Sequence, residues 1–269
     1  MAKLPQVTVP EGIDAKVPNA ARMYDYYLGG KDNYAADRAA AEAVLAVAPE
    51  MRSAARQGRA LIKRVVEHLV RERGVKQIID VGSGLPTGEN IHEIAHAIDP
   101  SVRVVYIDSD EVVCIHGRTL LSQPDLVLMA QHDLLDPEAI FNDGAIKALI
   151  DFEQPVGVLM MFLLHLIADD AKPQEVLAAY RSALSPGSFL AISHAANDAR
   201  PEYLARISAI YERADAPFTP RPREEIAAFF GDFVLEPPGL VNVWPYTELP
   251  ADHDAALAGT GYSGVARKG

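Results

Sequence analysis

The chain has 269 residues, 49% of them apolar and 23% charged, enough apolar material for a buried core and too much for an intrinsically disordered protein. Acidic residues number 37 against 25 basic, a formal charge of -12. The densest basic stretch, Lys63 to Lys76, is interleaved with Glu67 and Glu72, so nothing counters a field that repels phosphate backbones, and nucleic acid is excluded as an expected partner. The single cysteine, Cys114, rules out an internal disulfide framework and a multi-cysteine zinc site. The N-terminus lacks an apolar signal core, and the most apolar run, Val156 to Leu164, is too short to cross a bilayer. A cytoplasmic protein without a membrane partner is expected.

In chain order, residues 1–18 carry Pro5, Pro10 and Pro18 and read as an extended arm. Past Gly29 and Gly30 the apolar spacing predicts helices over 37–47 and 51–73, the second with Leu61, Val65 and Leu69 on one stripe and Gly74 as its stop. From Val75 onward, short apolar runs alternate with helical stretches. Strands are expected at 77–81, 102–107, 126–130, 155–161 and 189–193, with helices over 89–98, 111–121 and 174–184. Strands apolar on both faces and separated by helices indicate a parallel sheet covered on both sides. The tail adds a helix over 223–230 and strands at 233–235, 241–244 and 262–266. No internal repeat or low-complexity linker interrupts the chain. One compact unit is therefore expected, with residues 1–74 as arm and helical cap and residues 75–269 as core.

In an open α/β sheet the ligand lies beyond the carboxyl ends of the strands, where strand order reverses. Acidic residues fall at those ends. Asp80-Val81-Gly82-Ser83-Gly84 closes the first strand, Asp108 closes the second, and Asp133 follows the third. The loop departs from a dinucleotide fingerprint: Thr87 stands where the third glycine belongs, Gly88 comes one residue later, and Pro86 removes an amide. Asp80 would be unhelpful beside a diphosphate but suits a ligand bearing an ammonium and a sulfonium. An NAD-dependent dehydrogenase is accordingly disfavoured. Asp108 is placed to accept ribose hydroxyls, and Asp133 to orient an adenine amino group.

These features resemble the class I S-adenosylmethionine-dependent methyltransferases, and more closely a bacterial S-adenosyl methyltransferase family long catalogued as a domain of unknown function. The resemblance spans nearly the whole chain. It rests on the segment Ala21-Arg22-Met23-Tyr24-Asp25-Tyr26-Tyr27-Leu28-Gly29-Gly30-Lys31-Asp32-Asn33-Tyr34 and on Asp80 to Thr87. Leu184-Ser185-Pro186-Gly187, Ser193-His194 and the terminal Gly264 to Lys268 support it. It implies a Rossmann-like α/β fold, with a seven-stranded, mostly parallel sheet, helices on both faces and an antiparallel final strand. It further implies S-adenosyl-L-methionine as cofactor over Gly82, Ser83 and Gly84, with Asp108 on the ribose and Asp133 near the adenine. Contacts from Tyr24, Gly30, Asn33, Asp80, Ser109, Leu134 and Phe162 complete the expected cofactor site. The resemblance supplies no methyl acceptor.

Tyr24, Tyr26, Tyr27 and Tyr34 surround the glycine pair and read as a lid whose aromatic faces suit a sulfonium methyl. His92-Glu93-Ile94-Ala95-His96 matches the zinc-hydrolase motif H-E-x-x-H. It falls on the first crossover helix with no third ligand in view, so no metal is expected. For chemistry, His165 follows the fourth strand in Phe162-Leu163-Leu164-His165-Leu166-Ile167-Ala168-Asp169. That placement resembles the His-x-x-x-Asp arrangement of small-molecule O-methyltransferases, and makes His165 the candidate base. His194, at the end of the fifth strand, is a second candidate. The Asp/Asn-Pro-Pro-aromatic tetrapeptide of base-modifying enzymes is absent after the fourth strand. A small-molecule acceptor is expected, with oxygen slightly preferred as the methylated atom and residues 197–223 setting its choice. A non-catalytic cofactor-binding regulator is the principal alternative.

Overall fold

The computed structural model describes residues 14–86, 88–120, 123, 125–213, 217–242 and 259–269. Thr87, Trp244 and most of the expected N-terminal arm lie outside the described residues.

Five parallel strands build the sheet: β1 (Gln77–Val81), β2 (Arg103–Asp108), β3 (Val127–Gln131), β4 (Gly157–Met161) and β5 (Phe189–Ala195). The later strands are β6 (Val234–Leu235), β7 (Val241–Asn242) and β8 (Gly261–Arg267), all antiparallel to their partners. The order is β3-β2-β1-β4-β5-β8-β6, with β7 also paired to β8. Among the described residues there are eight strands, as the chain-order reading expects, where the resemblance implies seven. β6 and β7 are two pieces of one edge strand, interrupted by Pro237-Pro238-Gly239, because proline cannot donate to a ladder. Strand order reverses between β1 and β4, which places the ligand crevice beyond their carboxyl ends.

Apolar side chains on both faces of the strands bury two separate cores. One face packs against α3 (Met51–Glu67), α4 (Ile91–His96) and α5 (Glu111–Leu120) through Leu61, Val65, Ile94 and Val113. The other carries α6 (Pro137–Asn142), α7 (Gly144–Leu149), α8 (Pro173–Ala183) and α10 (Arg223–Ala228), through Ile140, Ile146, Leu177 and Ile226. The helix expected over 51–73 is present, but its last turn widens into a π-helical stretch, His68–Glu72, before Gly74 reverses the chain at φ 68°.

A third core joins α1 (Ala20–Leu28) and α2 (Ala35–Leu45) to α9 (Pro201–Arg213), with Met23, Tyr27 and Val44 against Leu204, Ile207 and Tyr211. The tyrosine-rich segment is thus a capped helix. Asn19 accepts from the Ala21 and Arg22 amides, and Gly29 closes the other end at φ 84°. The cap is fastened by charges withdrawn from water. Arg22 Nε lies 2.8 Å from Asp37 Oδ2, both side chains almost wholly buried. Asp37 also accepts from the amides of Asn19 (2.8 Å) and Tyr34 (2.7 Å). Asn19 Nδ2 donates to Asp110 Oδ2 at 2.8 Å, and Arg22 approaches the same carboxylate at 3.6 Å. Breaking a buried pair strands the remaining charge, so Asp37→Ala is expected to cost about 3–5 kcal/mol in urea unfolding. An exposed-pair control such as Glu42→Ala, whose Arg52 contact is open to solvent, should cost under about 1 kcal/mol.

Candidate active site

β1 runs directly into a loop whose backbone demands glycine. Gly82 and Gly84 adopt φ 69° and 65°, a region that side chains with a Cβ rarely occupy. A Cβ on Gly82 would also fall 2.4 Å from Leu163 Cδ1. The Gly82 and Ser83 amides donate to the Ile107 carbonyl at 2.8 and 3.1 Å, tying the loop to β2. Asp108, at the end of β2, accepts from the Gly84 amide through Oδ2 (2.9 Å) and from the Asp110 amide through Oδ1 (3.0 Å). Each of those oxygens retains a lone pair, and burial raises the carboxyl above the usual range. Ser83 Oγ is buried with no hydrogen-bond partner. A cradle that a Cβ would fill, an orphaned hydroxyl and a carboxylate with free lone pairs fit an adenosyl group.

At the end of β4, Phe162 is held at φ 56°, a conformation costing a non-glycine residue of order 1–3 kcal/mol. Its amide donates to Ser193 Oγ at 2.9 Å. Its ring and the Tyr24 hydroxyl close on Gly58 of α3, where a Cβ would lie 2.9 Å from each. Tyr24 donates to the Ala55 carbonyl at 3.0 Å, and burial pushes its phenol up to about 12.

These elements surround a cavity of about 550 Å³, within the usual range for small-molecule sites. Tyr24, Gly82, Ser83, Gly84, Asp108, Ser109, Asp133, Leu134, Phe162 and His165 all line it. Gly30, Asn33 and Asp80 are not brought to its wall. Asn33 Nδ2 instead donates to Asp25 Oδ2 (2.8 Å) and the Gly30 carbonyl (3.1 Å), and a Cβ on Gly30 would overlap the Asp25 carboxylate. The pair therefore packs around Asp25, which does line the cavity. Sequence reading passed over Asp25, hidden among tyrosines, and Arg59, one of several arginines along α3. Both line the cavity and the adjoining open pocket.

Asp80 is buried behind the loop, and burial pushes its carboxyl up to about 7, with Asp108 adding to the effect and Arg59 opposing it. The unfolded chain ionises this group near pH 4, whereas the folded chain holds the proton to about pH 7. Stability therefore falls between those values and stays lower above them. In ligand-free protein, Asp80→Asn should raise the melting temperature by a few degrees at pH 8 and leave it unchanged at pH 4.

Each histidine singled out by sequence has a defined environment. His165 Nδ1 accepts from the Ala195 amide at 3.4 Å, while Asp169 is taken by Arg221 at 2.6 Å. Burial, His194 and Arg221 hold the His165 imidazole well below the usual histidine range. His194 Nδ1 donates to the Ala195 carbonyl (2.6 Å), and its Nε2 accepts from Arg221 (3.0 Å). It is fully buried and away from the cavity wall. Arg221 also donates to the carbonyls of Leu164 (2.9 Å) and Ile167 (2.8 Å), clamping the loop that carries His165. In the H-E-x-x-H segment, the Tyr106 hydroxyl accepts from the His92 amide and donates to its Nδ1, both at 2.9 Å. His96 Nε2 donates to the Val102 carbonyl at 2.8 Å, and Glu93 caps α4 at the Asn90 amide. Both rings are committed to β2 and its approach, and no group among the described residues could hold a metal ion.

A family profile described as S-adenosyl methyltransferase matches residues 6–269. The chain is 37% identical to a predicted methyltransferase from Thermobifida fusca YX, with a TM-score of 0.90 over 97% of this chain and 99% of the other. It is 32% identical to a DUF574 family protein from Streptomyces avermitilis MA-4680, with a TM-score of 0.91 over 95% and 99%. The plantazolicin methyltransferase BpumL, at 13% identity and a TM-score of 0.55 over 92% and 95%, shares the fold. No curated protein matches the sequence. Profile, fold and glycine cradle agree: the chain belongs to the S-adenosyl methyltransferase family, and is an enzyme that uses S-adenosyl-L-methionine as its methyl donor.

Proposed function

We propose that the enzyme methylates a small molecule held beneath a roof formed by α1, α3 and α9. The observation carrying this reading is that one cavity runs from the glycine loop and strand-end aspartates to Tyr27, Tyr211 and Phe218. Donor and acceptor would share that space, with residues 1–74 serving as cap and residues 75–269 as core. The negative net charge further favours a small acceptor over a nucleic acid.

When bound, the cofactor supplies an electrophilic methyl on a sulfonium. Gly82, Ser83 and Gly84 would cradle its chain, Asp108 and Ser109 its ribose, and Asp133 and Leu134 its adenine. Tyr24 and Phe162 would enclose the sulfonium. The amino-acid tail needs one cation and one anion, and Arg59 is the only lysine or arginine lining the cavity among the described residues. Arg59 would pair with the carboxylate and Asp25 with the ammonium. Positioning supplies much of the catalysis in a displacement of this kind. His165 would hold the acceptor atom as a neutral ring, so the rate should show no histidine-like limb near pH 6.5.

Titration calorimetry with S-adenosylhomocysteine tests the arrangement. Asp108→Ala should abolish measurable binding of both S-adenosylhomocysteine and 5′-methylthioadenosine. Arg59→Gln should weaken S-adenosylhomocysteine about 10- to 100-fold, the value of a charge-assisted bond, and leave 5′-methylthioadenosine unchanged. Equal losses for both ligands would remove Arg59 from the tail. Release of S-adenosylhomocysteine with any acceptor separates an enzyme acting on small molecules from a cofactor-binding regulator.

A further inference from the structure

We infer that the acceptor is a planar aromatic compound that receives the methyl group on an anionic oxygen. The inference rests on the cavity being the methyl-transfer site and deepens that reading. Beyond Phe162 the wall changes character. Tyr211 and Phe218 stack at 4.9 Å with 28° between their planes, and Phe218 meets the His165 ring edge-on at 5.3 Å. This cluster of rings lines the cavity end and favours an aromatic ligand that can stack on it or meet its edges.

The polar side-chain atoms of Tyr27, Tyr211 and His165 at this end can each donate. Tyr27, Tyr211 and His165 are 3%, 6% and 8% exposed, so their polar atoms are largely withdrawn from water. The Tyr27 hydroxyl has no hydrogen bond of ordinary length, and its polar neighbour here is the Tyr211 hydroxyl. If one phenol turns to the other, one O–H still remains for a ligand. Burial holds both phenols protonated. His165 accepts a backbone N–H at Nδ1, so its neutral ring carries the hydrogen at Nε2, and Nε2 has no partner among the described residues. A free phenol O–H and an imidazole N–H on residues lining one apolar cavity end match an oxygen anion. A protonated amine would face the His165 N–H and have only neutral phenol oxygens to accept from it; Glu42 acts on Tyr27 from outside the cavity wall, and no carboxylate acts on His165 or Tyr211.

The chemistry balances with what the site holds. The acceptor's hydroxyl or carboxyl proton leaves to solvent before binding. A lone pair on the anionic oxygen then forms the O–C bond, and the S–C electron pair returns to sulfur, which leaves a neutral thioether. No base is required in the cavity, in keeping with a histidine that resists protonation.

The test uses full-length enzyme saturated with S-adenosyl-L-methionine and three matched probes: 2-naphthol, 2-naphthoic acid and 2-naphthylamine. Methylated product is identified by mass spectrometry. Methylation of naphthol or naphthoate at oxygen, at least 10-fold faster than of the amine, is expected, and the product distinguishes a phenolate from a carboxylate acceptor. Tyr27→Phe should weaken the favoured probe about 10-fold in calorimetry on enzyme loaded with S-adenosylhomocysteine, and leave affinity for that nucleoside unchanged. Preference for the amine, or failure of all three probes on enzyme that binds S-adenosylhomocysteine, would overturn the inference. Failure of the wild-type enzyme to bind S-adenosylhomocysteine would instead count against the site itself.

Discussion

The arrangement depends on a buried contact between Arg22 and Asp37, extended through Asn19 to Asp110. Without it, the first two helices would keep their apolar contact with α9 and the Tyr24 bond to Ala55, but no charged tie to the carboxyl end of β2. Asp110 also caps α5 through the Val112 and Val113 amides. The turn that presents Asp108 to the cavity is therefore the turn that anchors α1 and α2. Placement of α1 over the cavity and placement of Asp108 are one constraint, imposed by charges that hold their energy only while both partners stay in place.

A second theme is the cost of polar atoms held out of water. Asp80, Asp108, Tyr24, Tyr27 and His165 are all pushed toward their uncharged forms by burial. In a core this would be a defect, since unsatisfied polar groups weaken a fold. Around a cavity Asp108, Tyr24, Tyr27 and His165 are ready partners for a ligand, because the desolvation has been met in folding. Phe162 follows the same logic in backbone form: its left-handed conformation is kept by the Ser193 hydroxyl and by packing against Gly58.

Much of this was legible in the sequence, and the misses share causes. The five parallel strands could be read because residues such as Val104, Val105 and Ile107 are apolar on both faces, a pattern that solvent-exposed elements do not produce. The strand-end aspartates could be read because a strand fixes where its last residue points. α1 was obscured by its tyrosines, residues that pack well but give a weak helical signal. The short helices α6 and α7 offer too few turns for a period to emerge. Arg59 and Asp25 carried no local mark, since their place on one cavity wall comes from two elements meeting in space. His165 could be singled out and does line the cavity, but its tautomer depends on an amide thirty residues away, which spacing cannot reveal.

The broken margin formed by β6 and β7 bears on how the molecule behaves in company. An unbroken outer strand would offer a continuous row of amides and carbonyls to any neighbouring copy. Here Pro237 and Pro238 delete two of those donors, and Gly239 turns the backbone at φ 89°, so the ladder on β8 resumes out of step with itself. A sheet that grows by adding strands needs a straight template, and this rim withholds one. Self-association through sheet extension is thereby discouraged at the β6 end of the sheet, away from the crevice at β1 and β4.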